Sequence, residues 1–215
     1  MSDLCDETID ELTGPLRKLD FDHCESVIAS RLLGLSESPF HSADAARISN
    51  RPADFAAYCD DFFREISTPP KEQWPAWLPK NVHVEWETDT SELRAAYVEM
   101  NGFDVNTDRW FCSVFAFAEY GGHDDYDWLS DWDAATDDDF AITGMEALQA
   151  IYAAHGADAQ FRTARDLASL LVVVRFQHFV HQATQEMELP RCPILATAHG
   201  YDFISESKRR RRKKK

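Results

Sequence analysis

Apolar positions recur with a helical period through the first third of the chain. Phe55, Tyr58, Cys59, Phe62, Phe63 and Ile66 stand at i, i+3, i+4, i+7, i+8 and i+11, the stripe of an amphipathic helix. Asn50 is its candidate cap, and Pro52 falls in the first turn, where its missing N–H costs nothing. Upstream, Val27, Ile28, Leu32 and Leu35 form a second stripe, with Gly34 near its end. Asp22-His23-Cys24-Glu25 has capping-box spacing ahead of it, with Asp in place of Ser or Thr. Residues 1–66 are therefore expected to be helical.

The period then changes. Residues 67–80 hold four prolines (Pro69, Pro70, Pro75, Pro79) interleaved with Trp74 and Trp77, which predicts an ordered loop packed on the body. Val82, Val84 and Trp86 alternate with His83, Glu85 and Glu87, as on a half-buried strand. A second strand is expected over 91–100, turning at Asn101-Gly102. From Trp110 to Glu119 the chain is apolar at both parities, which predicts an inner strand with something packed on each face.

Thr143-Gly144-Met145-Glu146 has capping-box spacing ahead of a helix carrying Met145, Leu148, Ile151 and Tyr152 and stopping near Gly156. A long helix follows from about Thr163 to Glu186. Leu167, Leu170, Leu171, Val174, His178 and His181 share one stripe; Val172, Val173, Phe176, Phe179 and Val180 lie opposite. Apolar nearly all round, it belongs inside the domain. Ile194–Ala198 and Tyr201–Ser205 read as a strand pair turning at His199-Gly200. The fold class is α+β. Helices come first, then an antiparallel sheet of about four to five strands, with the long helix buried near the C-terminus. One domain is expected over residues 1–207. Its helical front, residues 1–66, is joined through 67–80 to a mixed back half, residues 81–207, and a disordered basic tail follows at 208–215.

Charge sharpens this picture. The last eight residues are all basic, leaving 14 basic against 38 acidic residues in the other 207, a body near −24. Such a body repels phosphate backbones, so nucleic acid is not expected on the folded body, whereas basic partners are attracted. The tail can contact anionic surfaces. Five scattered cysteines without a C-x-x-C pair fit a reducing compartment. The acidic start, MSDLCDETIDEL, lacks the basic and apolar regions of a secretory signal, and no apolar run is long enough to span a bilayer. A cytoplasmic location is expected.

Two segments are candidates for function. The first, GGHDDYDWLSDWDAATDDDF, carries eight Asp and two tryptophans at i, i+4. It fails as an EF-hand, because counting from Asp131 the sixth and twelfth positions are Thr136 and Ile142 instead of Gly and Glu. It reads either as a solvated acidic loop or as an anionic contact surface, with Trp128 and Trp132 as aromatic anchors and Asp124, Asp125, Asp137, Asp138 and Asp139 steering a basic protein. The second is His178 with His181 on the long helix, either a metal or acid–base pair completed by Cys192 or His199, or by His123, or two neutral imidazoles hydrogen-bonded to carbonyls or acidic side chains. Its spacing matches no zinc signature, and no cofactor is expected.

Nucleotide-loop and nucleophile-elbow motifs are also absent. Small, acidic and Trp-bearing without a catalytic motif, the chain is similar in composition to bacterial toxin-neutralising immunity proteins, a resemblance that carries no residue across. The leading expectation is a non-enzymatic protein-interaction module binding a basic protein partner. The alternative is a metal-dependent enzyme using the histidine pair.

Overall fold

The computed structural model describes residues 1–66, 93–103, 106–123, 125–188 and 191–209. The proline–tryptophan segment, the expected strand at 82–87, Asp124 and residues 210–215 lie outside the described residues.

Three helices open the chain: α1 (Asp3–Arg17), α2 (Phe21–Leu33) and α3 (Pro52–Ile66). On α3 the apolar stripe is buried as its spacing predicts, with only Tyr58 half-buried. The caps differ from expectation. Asp20, two residues ahead of the anticipated Asp22, accepts the His23 backbone N–H at 3.3 Å and starts α2. Asn50 does not cap α3. Its amide instead donates to the Ala141 carbonyl (3.0 Å) and accepts from the Thr143 N–H (2.7 Å), tying the start of α3 to a distant loop.

The sheet holds β1 (Ala95–Met100), β2 (Phe111–Phe117), β3 (Ala134–Ala135), β4 (Phe140–Ala141), β5 (Ile194–Ala198) and β6 (Ser205–Ser207). Its order is β3-β2-β1-β5-β6, with β4 also pairing β2. The α+β class holds, but the sheet is mixed. Most pairings are antiparallel, whereas β1 and β5 run parallel, Ala96 opposite Ile194 through Met100 opposite Ala198. The connection from β1 to β5 carries β2 to β4, then α4 (Glu146–His155) and α5 (Arg162–Glu186), ample length for a parallel return.

Helix α5 is the centre of the molecule. It packs on α1, α2 and α3 on one side and on β5 and β6 on the other, so both of its apolar faces are covered. The sheet's inner face (Val98, Val114, Ala116, Ala196) joins that core. Its outer face carries a smaller cluster of Ala95, Tyr97, Phe117, Leu195 and Ile204, covered by Tyr126, Trp128 and Leu129. Strand β2 is thus packed on both faces, as its double parity predicts.

The final strand pair opens later than expected, at Ser205 instead of Tyr201. Side chains satisfy the intervening backbone. Thr197 donates its hydroxyl to the Tyr201 and Phe203 carbonyls, and the Gln177 amide reaches the carbonyls of Ala196 and Phe203. Those groups need no ladder partner, so the loop runs to 204 before pairing resumes.

Candidate functional site

The acidic stretch is built onto the sheet. Asp133 N–H donates to the Ala116 carbonyl (3.0 Å), Thr136 N–H to Val114 (2.9 Å) and Ile142 N–H to Trp110 (2.8 Å). The Thr136 hydroxyl accepts from the Val114 N–H at 3.1 Å. Residues 133–142 therefore form an edge strand in two pieces, with Asp137, Asp138 and Asp139 projecting in the gap. Charges on an edge discourage pairing with another sheet, a structural use for these carboxylates beside any binding role.

The two tryptophans separate. They do not share a helical face, since the helical turn covers only Asp127–Ser130, a 3-10 turn too short to reach Trp132. Trp128 is half-buried. Its ring stands edge-on to Phe117 (4.9 Å between centroids) and Tyr120 (5.6 Å), and its indole N–H donates to the Gly122 carbonyl at 3.3 Å. Gly121 makes this possible, because a Cβ there would lie 2.3 Å from Trp128 Cδ1. Trp132, by contrast, is 50% exposed and touches Phe115 in a tilted contact at 5.9 Å.

Around it the carboxylates vary in engagement. Asp133 accepts the Ala118 N–H at 2.6 Å, and Asp125 accepts from the Asp127 N–H at 2.9 Å. Asp139 pairs with Arg109 at 3.4 Å and meets the Ser113 hydroxyl at 3.3 Å. Asp131, Asp137 and Asp138 are exposed, the last accepting the Tyr58 hydroxyl through its backbone carbonyl.

A polar clamp that the sequence pattern did not reveal fixes the start of this segment. One oxygen of Glu206, on β6, meets Tyr120 Oη at 2.5 Å and His123 Nε2 at 2.6 Å; the other takes Lys208 Nζ at 2.7 Å. His123 Nδ1 in turn lies 3.1 Å from Tyr126 Oη. Burial alone would raise the Glu206 carboxyl, but the hydrogen bonds from Lys208 and Tyr120 and the charges of Lys208 and His123 hold it below the ordinary value. Burial raises the Tyr120 hydroxyl, and its bond to Glu206 raises it further, so it stays protonated as a donor. The available signal was the two-residue period of Ser205-Glu206-Ser207. With both serines buried toward the core, Glu206 points to the outer face.

The histidine set is dispersed. His178 stacks on Phe21 (5.0 Å), with Nδ1 3.3 Å from Glu25 and Nε2 3.1 Å from the Gln182 amide nitrogen, so both ring nitrogens are engaged. His181 reaches Ser207 Oγ at 2.9 Å. Cys192 is buried, with burial pushing its thiol up to about 12. His199 lies on the surface beside Glu99 at 3.1 Å. Among the described residues, no three His, Cys, Asp or Glu side chains converge as metal ligands.

Beside His178 lies a buried charge. Arg175, on α5, donates to Glu25 (3.1 Å) and to the carbonyls of Ala43, Asp44 and Ala46. Burial would raise Glu25, but hydrogen bonds from His178 and Arg175, with their charges, outweigh it and lower its value. This network holds α2 and the 3-10 turn Pro39–Asp44 against α5.

No described helix is long and apolar enough to cross a membrane. Compared with protein-family models, curated proteins and solved structures, the chain matches none.

Proposed function

We propose that the protein is an interaction module whose acidic sheet edge, centred on Trp132, binds a basic protein partner. The observation that carries the reading is Trp132 itself: a large aromatic side chain half in water, on a segment whose Asp131, Asp133, Asp137 and Asp138 are exposed. An exposed indole gains most when a partner covers it, and neighbouring charges select the partner's sign and speed its approach. Trp128 supports the surface from beneath by fixing the loop to Phe117. Cytoplasmic residence, inferred from the unpaired cysteines, belongs to the same proposal.

Immobilised protein used as bait in a lysate of the native cell should retain a Lys/Arg-rich protein at low salt and release it at high salt. Trp132→Ala bait should retain markedly less of it. Equal retention by both baits would remove Trp132 from the interface and end the proposal.

A further inference from the structure

The parallel pairing of β1 with β5 has a consequence at its carboxyl end. Both strands finish at the same edge of the sheet, where the His199 N–H donates to the Met100 carbonyl at 2.8 Å. Gly102 follows β1 and Gly200 follows β5, and the two turns border a cleft of about 340 Å³. The first turns of α5 close its other side with Arg162, Arg165, Asp166 and Ser169. In open parallel α/β sheets, ligands bind in the crevice beyond the carboxyl ends of the strands; this mixed sheet has one such pair, and the cleft volume lies in the range of small-molecule pockets.

The lining specifies the ligand's charge. Asp166 is buried and its carboxylate is already engaged, by the Ser2 N–H at 2.7 Å and Arg165 at 3.3 Å. Arg165 also donates to the Gly156 carbonyl, and Arg162 to that of Met1 at 3.2 Å. A guanidinium has five donors, so each arginine retains several beyond these contacts. His199 and Tyr201 complete the rim. In a body near −24, a lining with two arginines against the single carboxylate of Asp166 is a local exception to the prevailing sign.

We propose that this cleft binds a small molecule bearing an oxyanion, a carboxylate or a phosphate, through Arg162 and Arg165. The forked guanidinium geometry matches both groups. The site is separate from the acidic edge, so it stands or falls independently of the proposed partner binding.

The full chain would be titrated at low ionic strength with inorganic phosphate and with citrate, beside glycerol as an uncharged control, by calorimetry. Saturable one-site binding of at least one anion is expected, phosphate alone indicating a phosphate headgroup and citrate alone a carboxylate. Arg162→Gln and Arg165→Gln should each weaken it about tenfold or more, the scale of a lost charge-assisted hydrogen bond. Arg51→Gln, at the exposed start of α3, should leave it unchanged. Should Arg165→Gln lose its fold with the Gly156 and Asp166 contacts, the exposed Arg162→Gln decides alone. Absence of saturable binding by either anion, or equal binding by folded Arg162→Gln protein, overturns the proposal.

Discussion

Removing the two tryptophans separately should produce unlike proteins. Trp128→Ala deletes two edge-on ring contacts, with Phe117 and Tyr120, and the indole hydrogen bond to Gly122. Ring pairs contribute about 0.5–1.5 kcal/mol each and such a hydrogen bond about 1 kcal/mol. A fully buried Trp→Ala change costs about 3–5 kcal/mol, and this ring is half-buried, so about 2–4 kcal/mol is expected. Trp132→Ala loses one tilted contact from a ring already 50% exposed, and should cost under about 1 kcal/mol. Urea unfolding monitored by circular dichroism reads the difference. With a slope of about 2 kcal/mol per molar, Trp128→Ala should lower the midpoint by about 1–2 M and Trp132→Ala by under about 0.5 M. Equal midpoints would refute the assignment of one ring to the sheet's cover and the other to its surface.

Gly121→Ala should mimic the loss of Trp128, since the new methyl and the indole cannot share the space; the double variant with Trp128→Ala should then unfold no earlier than Trp128→Ala alone in the same urea series. Arg175→Met leaves Glu25 with His178 alone and removes one donor each from the carbonyls of Ala43, Asp44 and Ala46, and thermal or urea unfolding should show a loss of about 1–3 kcal/mol. Because the folded value of Glu25 is depressed, its stabilisation is present above the unfolded carboxyl value and is lost as pH falls through the folded one. Glu25→Gln should therefore flatten the acid limb of a stability–pH curve and change it least when fully acid. All five cysteines are buried, with burial raising Cys24 to about 11 and Cys5 to about 12. A thiol reagent at pH 8 should leave the native protein unmodified and react with five thiols in denaturant, and rapid native reaction would show that the core opens.

The elements that hydrophobic period could reveal were readable. The α3 stripe, the all-round apolar α5 and the double parity of β2 each record what packs against them, and each packs that way. Strand direction was not readable, because a strand's side-chain pattern is the same whichever way its neighbour runs; hence the parallel β1–β5 pair. The edge strand at 133–142 has no alternating apolar pattern, because its pairing is carried by backbone groups and Thr136, while four of its ten side chains are Asp. The i, i+4 spacing of Trp128 and Trp132 would put them on a common face only in a helix, but Asp133 N–H is drawn into the β2 ladder, and the turn ends at Ser130. The Glu206 clamp joins residues more than eighty positions apart, a distance that local pattern does not reach.

Binding kinetics of the captured basic partner test the central claim most directly. Its association and dissociation rates would be measured by surface plasmon resonance across a salt series. The proteins compared are the wild type, Trp132→Ala, and a variant with Asp137, Asp138 and Asp139 replaced by Asn, each confirmed folded. Trp132→Ala should dissociate about tenfold faster or more, at the level of an aromatic hot spot. The Asp variant should associate more slowly, with a flatter dependence on salt. Wild-type rates in both variants would contradict it, leaving the acidic edge as a solvated guard on the sheet.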